Sequence, residues 1–170
     1  MRTEEGQLKA AGVLKKYGIQ GLVVIGGDGS FAGAQKLSNY GINVIGIPGT
    51  IDNDVTASDS TIGYDTALKT TVTMIDCLRD TCESHARCNV VEVMGRRAGY
   101  LALETGIAVG ATSIIVPEIE YDFQKDIIDK IRDTQAAGKK HFIIMVAEGV
   151  GGVYELAKRI EEETGIESRA

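Results

Sequence analysis

The chain has 170 residues, with 18 Lys and Arg against 24 Asp and Glu, a net charge of −6. That length is near the size of one ordinary domain and buries roughly 70% of the unfolded surface. The acidic balance argues against nucleic acid as a partner. The apolar runs, such as Phe142–Ala147, are far too short to span a bilayer, so no membrane association is expected.

Glycine is abundant, 21 residues against two prolines, which suggests many tight strand-to-helix turns. Cys77, Cys82 and Cys88 are an odd number with no C-x-x-C pair, a usage that fits a reducing cytoplasm. Cys82, His85 and Cys88 fall three apart, as zinc ligands can. No fourth ligand accompanies them, and thiols commonly serve as small hydrophobes.

In chain order, the pattern predicts a helix over Thr3–Tyr17 ended by Gly18, then a strand at Leu22–Ile25. That short apolar run reads as a strand buried on both faces. A glycine turn, a helix over Ser30–Asn39 and a second buried strand at Val44–Ile47 follow. Residues 48–62 are a polar loop, too long for a simple connector. A helix is predicted from Tyr64 to Cys82, a strand at Cys88–Met94, a helix over Ala98–Val109 and a strand at Ser113–Val116. Then come a helix over Asp122–Ala136, a strand at His141–Ala147 and a helix over Val153–Thr164, with a further strand beginning near Ser168. The alternation predicts an α/β fold of Rossmann-like parallel layers with helices on both faces.

Gly26-Gly27-Asp28-Gly29-Ser30 lies between a strand and a helix. Such turns aim backbone N–H groups and a helix N-terminus at an anion, although many are only turns. Gly27-x-Gly29-x-x-Ala32 also meets a relaxed dinucleotide fingerprint. Asp28 is badly placed for that reading, because a carboxylate repels a bare pyrophosphate unless a divalent cation lies between. The acid points instead to Mg²⁺ held against a nucleotide. Pro48-Gly49-Thr50-Ile51-Asp52-Asn53-Asp54 follows the next strand. Loops at the carboxyl ends of parallel strands line one crevice, so Asp28 and Asp52 are expected to face each other across it. Asp52 and Asp54, two apart, share a side in extended backbone, and paired carboxylates favour one acting as a base. A solvated Asx-rich turn is the bland alternative.

These two motifs, with Ile62-Gly63-Tyr64-Asp65-Thr66-Ala67 and Glu92-Val93-Met94-Gly95-Arg96, resemble bacterial ATP-dependent 6-phosphofructokinases in order and spacing. The resemblance runs the whole chain yet covers about half of the family's usual length, implying a phosphofructokinase-like fold truncated at both ends. It implies that residues 1–62 are part of a nucleotide-binding domain and 63–170 most of a sugar-phosphate and effector domain. By resemblance, Asp28 is the Mg²⁺-linked acid, with Gly27, Gly29 and Ser30 as nucleotide contacts. Asp52 resembles the base that deprotonates the 1-hydroxyl of fructose 6-phosphate, with Thr50 and Asp54 as its partners. Met94, Gly95 and Arg96 resemble the substrate-side strand end, Arg96 stabilising the transferred phosphoryl group, and Glu148 a sugar-binding carboxylate. Arg87 and Arg169 resemble arginines that reach the 6-phosphate of a neighbouring subunit's substrate, which implies self-association as a homotetramer with shared sites. Glycine at 29 and 49 resembles the ATP-using rather than the pyrophosphate-using branch.

Arg79 and Lys139 resemble effector contacts for a nucleotide diphosphate such as ADP. Thr112 and Ala137 stand where many relatives place an acid and a base, implying weak activation. The family's N-terminal glycine loop would precede Met1, and a sugar-phosphate-binding His and Arg would follow Ala170. Little turnover is therefore expected of this chain alone, and a binding or assembly module is the alternative.

Overall fold

The computed structural model describes residues 2–170. Its contacts divide the chain into two compact units, Met1–Thr50 with Asp54–Gly63, and Ile51–Asn53 with Tyr64–Ala170.

The first unit holds α1 (Glu4–Lys16), β1 (Gly21–Gly26), α2 (Asp28–Ser38) and β2 (Asn43–Pro48). The Thr3 hydroxyl accepts from the Gly6 N–H, while Glu4 and Glu5 in the first turn and Lys15 and Lys16 in the last complement the helix dipole of α1. β1 and β2 run parallel from Gly21↔Asn43 to Gly26↔Pro48. Ala11, Leu37 and Ile42 form the core on one face, with Leu22 and Val44 against them. The expectation of two-sided burial fails here. Alternate residues Val23, Ile25 and Ile45 are 58%, 68% and 68% exposed, because α1 and α2 supply apolar cover to one face of this two-stranded sheet only.

The second unit is a four-stranded parallel sheet ordered β4-β5-β3-β6. In chain order it contains α3 (Tyr64–His85), β3 (Cys88–Val93), α4 (Tyr100–Ala108), β4 (Ser113–Ile115), a π turn (Gln124–Ile128) running into α5 (Asp129–Ala136), β5 (Phe142–Ala147), α6 (Val153–Thr164) and β6 (Ser168–Arg169). Every residue of β5 is buried, as a central parallel strand requires. Its alternation feeds two cores. Phe142, Ile144 and Val146 pack with Ile127, Ile128, Ile131, Leu156 and Ile160. Ile143, Met145 and Ala147 pack with Ile75, Leu101 and Ala102 on the opposite face.

The helix expected from Asp122 opens instead as the π turn. Asp122 and Asp126 cap it reciprocally, Asp122 Oδ1 accepting from the Lys125 N–H and Asp126 Oδ2 from the Asp122 N–H. Cys82 and Cys88 are fully buried, and the Cys82 thiol donates to the Arg87 and Phe142 carbonyls. They serve as packing groups.

Candidate functional site

In the first unit, α2 begins two residues earlier than the pattern suggested. Gly27 is its N-cap and Asp28 its first residue, so the acid sits on the helix rather than midway through a loop. Asp28 Oδ1 accepts the Gly29 N–H. The short side chain of Ser30 folds back over Gly26, where an added Cβ would lie 2.7 Å from Ser30 Cβ. Gly49 is equally confined, since a Cβ there would stand 2.9 Å from Ile25 Cγ2. The loop after β2 closes on itself, with the Thr61 hydroxyl donating to the Thr50 carbonyl at 2.7 Å and the Ile62 N–H to the Pro48 carbonyl at 2.9 Å. Asp54 Oδ1 is buried without a hydrogen-bond partner. An orphaned buried carboxylate oxygen is costly and calls for a cation or a proton donor.

In the second unit, Asp52 is half-buried beside Asn53, whose φ of 54° is left-handed. The order of the strands sets a switch point in this sheet. β3 and β5 are adjacent and parallel, yet α4 leaves β3 on one face and α6 leaves β5 on the other. Connections diverging from neighbouring strand ends open a cleft at the carboxyl edge, where ligands of open α/β sheets bind.

Met94, Gly95, Arg96 and Glu148 meet there. Glu148 Oε1 accepts the Gly95 N–H at 3.1 Å and also the Arg96 N–H. Gly95 has φ 144° and Arg96 the left-handed φ of 54°, uncommon for a residue with a side chain. At Gly149 an added Cβ would run into the Arg96 carbonyl, so the turns after β3 and β5 are packed backbone to backbone. The result is a turn presenting an exposed guanidinium beside a half-buried carboxylate.

Arg87 and Arg169 lie at the amino end of the same sheet, Arg87 preceding β3 and Arg169 pairing with Asn89. At roughly 3.3 Å per strand residue, β3 sets Arg87 about 20 Å from the strand end that precedes the Arg96 turn, and Arg169, level with Asn89, somewhat nearer. The structure does not gather them with Glu148 in one cleft. Both instead bind Glu167, Arg87 Nε donating to Oε2 at 2.7 Å and Arg169 Nη2 to Oε1 at 2.6 Å. The two guanidinium hydrogen bonds hold the Glu167 carboxyl well below its usual range, at about 2. Arg79 donates to the Val109 carbonyl, with Nε buried and unpaired, and Lys139 is half-buried after α5.

Glu167 and Glu118 were missed from sequence. Glu167 stands two residues before Arg169, on the same side of extended backbone, which was an available signal. Glu118 accepts the Gly99 N–H at 2.7 Å. Its only signal was that α4 has neither a capping side chain nor an acid in its first turn.

The phosphofructokinase family pattern matches residues 1–170. The chain is 58% identical over 169 residues to the ATP-dependent 6-phosphofructokinase of Clostridium botulinum (strain Hall), covering 99% of this chain and 53% of that protein. It is 57% identical over 168 residues to the enzyme of the same description from Bacillus pumilus, covering 99% of this chain and 52% of the relative. This chain thus spans about half the length of these relatives. Phosphofructokinase from Saccharomyces cerevisiae superposes with a TM-score of 0.86 at 33% identity, over 99% of this chain and 26% of the yeast one. Pichia pastoris phosphofructokinase in the T-state gives 0.83 at 27% identity, over 92% and 18%. On the whole-length match and this parallel α/β architecture, the chain belongs to the phosphofructokinase family.

Proposed function

We propose that this chain carries nucleotide and sugar-phosphate elements of an ATP-dependent 6-phosphofructokinase. The reaction moves the γ-phosphoryl group of ATP to the 1-hydroxyl of fructose 6-phosphate, giving fructose 1,6-bisphosphate and ADP, a step of glycolysis. The observation that carries the reading is the turn at the β3–β5 crevice, where Glu148 holds Gly95 and Arg96 by their N–H groups.

In this reading Asp52 takes the hydroxyl proton as the oxygen attacks, with Thr50 and Asp54 positioning it. Arg96 lies beside the phosphoryl group and offsets the charge that spreads over its oxygens. Glu148 receives hydroxyls of the sugar, and Met94 packs on it. Gly27, Gly29 and Ser30, at the N-terminus of α2, contact the nucleotide phosphates. Mg²⁺ is an ion usually held by one or two carboxylates plus phosphate oxygens. Asp28, exposed at the start of α2, would hold it, and the ion would neutralise phosphate charge. Residues 1–62 then form the nucleotide part and 63–170 the sugar-phosphate part. Arg87 and Arg169 serve a neighbouring copy's substrate in a cytoplasmic homotetramer, and Arg79 and Lys139 bind a nucleotide effector.

A second reading is binding or assembly without turnover. It draws on the open apolar face of Val23, Ile25 and Ile45. Titration calorimetry with fructose 6-phosphate and with MgATP, beside a coupled assay for fructose 1,6-bisphosphate, separates the two. Binding with turnover, however slow, that Asp52→Asn lowers by about 10²–10⁴ supports the kinase. Binding without turnover supports the module, and failure to bind either ligand removes both readings.

A further inference from the structure

Arg96 occupies a backbone conformation that side chains disfavour, and such conformations persist where the surroundings over-determine them. Glu148 accounts for one end of its turn. The other end is Gly99, the N-cap of α4. Helix N-termini leave N–H groups unpaired and favour a nearby negative charge. Gly99 has no side chain to cap with, and the first turn of α4 holds no acid.

Glu118, three residues beyond β4, fills this role from another strand. Its Oε1 accepts the Gly99 N–H at 2.7 Å. The fit is close enough to dictate glycine at 99, because an added Cβ would lie 2.6 Å from Glu118 Oε2 and 2.5 Å from Val116 Cβ. Between the two ends, the Ala98 N–H closes onto the Gly95 carbonyl at 2.8 Å. Five residues are therefore pinned at both ends by carboxylates from separate strand ends, and Arg96 is second among them.

We infer that Glu118 is a positioning residue, fixing the Gly95–Gly99 turn through the Gly99 N–H and so setting where Arg96 presents its guanidinium to an anionic substrate. The contact through which Glu118 acts is to backbone, the Gly99 N–H. The role rests on the reading of Arg96 as a phosphoryl-stabilising group.

The test uses the whole 170-residue chain, labelled with ¹⁵N, as wild type, Glu118→Ala and Glu118→Gln. Amide exchange is followed at Gly99, Gly95 and Arg96, and fructose 6-phosphate affinity is measured on the same samples. Losing a cap of this kind commonly opens a helix start by about five- to tenfold. Glu118→Ala is expected to speed exchange at Gly99 and Arg96 by that factor and to weaken sugar-phosphate binding comparably. Glu118→Gln, which keeps an acceptor oxygen, restores most of both. If Glu118→Ala does not fold, Glu118→Asp carries the same expectation, its carboxylate being one methylene too short to reach Gly99. A change confined to Gly99, with Arg96 exchange and binding unmoved, overturns the inference and leaves Glu118 a local cap. If no protein binds fructose 6-phosphate, the substrate reading fails by itself, and Arg96 exchange alone decides whether the turn depends on Glu118.

Discussion

Arg87 and Arg169, brought side by side by the pairing of β6 with β3, grip opposite oxygens of one carboxylate, Glu167. This lowers the Glu167 carboxyl from 4.5 to about 2. A depressed carboxyl contributes stability that is fully present above its unfolded value and lost as pH falls through its folded one. The pair should therefore hold β6 above pH 4.5 and release it between there and about pH 2. Urea midpoints for wild type and Glu167→Gln should converge across that interval. Parallel profiles would refute the assignment. The site is exposed, so added salt should shrink the difference.

The same carboxylate competes with any phosphate that approaches these arginines. Glu167→Ala should raise the affinity for inorganic phosphate by about two- to fivefold, the worth of an exposed ion pair. Unchanged affinity by calorimetry would take Arg87 and Arg169 out of phosphate recognition.

Thiol chemistry should separate the cysteines. Cys77 is exposed, whereas Cys82 and Cys88 are buried. Burial pushes the Cys82 thiol up and the Cys88 thiol up to about 12, which suppresses the reactive thiolate. A disulfide reagent should modify one cysteine quickly in the native protein and three in urea. Rapid modification of Cys82 or Cys88 in the native protein would contradict this burial.

The sheet core should be far less tolerant than the surface of α4. Ile144 is fully buried and Ile107 is 67% exposed. Ile144→Ala should cost about 2–5 kcal/mol, and Ile107→Ala no more than about 0.5 kcal/mol. Denaturant titrations of the two variants give the comparison, and equal losses would refute it.

Sequence reading succeeded where local chemistry decides. Val153–Thr164 was predicted and found, because Gly152 and Gly165 both adopt left-handed φ, at 69° and 70°, and punctuate the pattern. It failed where burial depends on what else is present. Val23 and Ile45 have the composition of a two-sided strand yet face outward, and no local pattern says how many layers cover a sheet. The helix predicted to stop at Cys82 runs to His85, since no breaker intervenes. Gly95 and Glu148 are 53 residues apart, so their pairing could not come from spacing. Resemblance places both at one sugar site, whereas the carboxylate–backbone contact arises only from the pairing of β3 with β5. Glu118 escaped because its partner is a glycine N–H, which leaves no complementary charge to notice.

β5 offers either of its sides to a hydrophobic environment, so polarity alone would let it slide by one position during folding and exchange the occupants of the two cores. The restraints sit at its ends, where Phe142 donates to the Arg87 carbonyl and Glu148 must reach the amides after β3. A slipped strand would strand that carboxylate away from its donors. The contact that shapes the crevice thus also proofreads the alignment of the sheet.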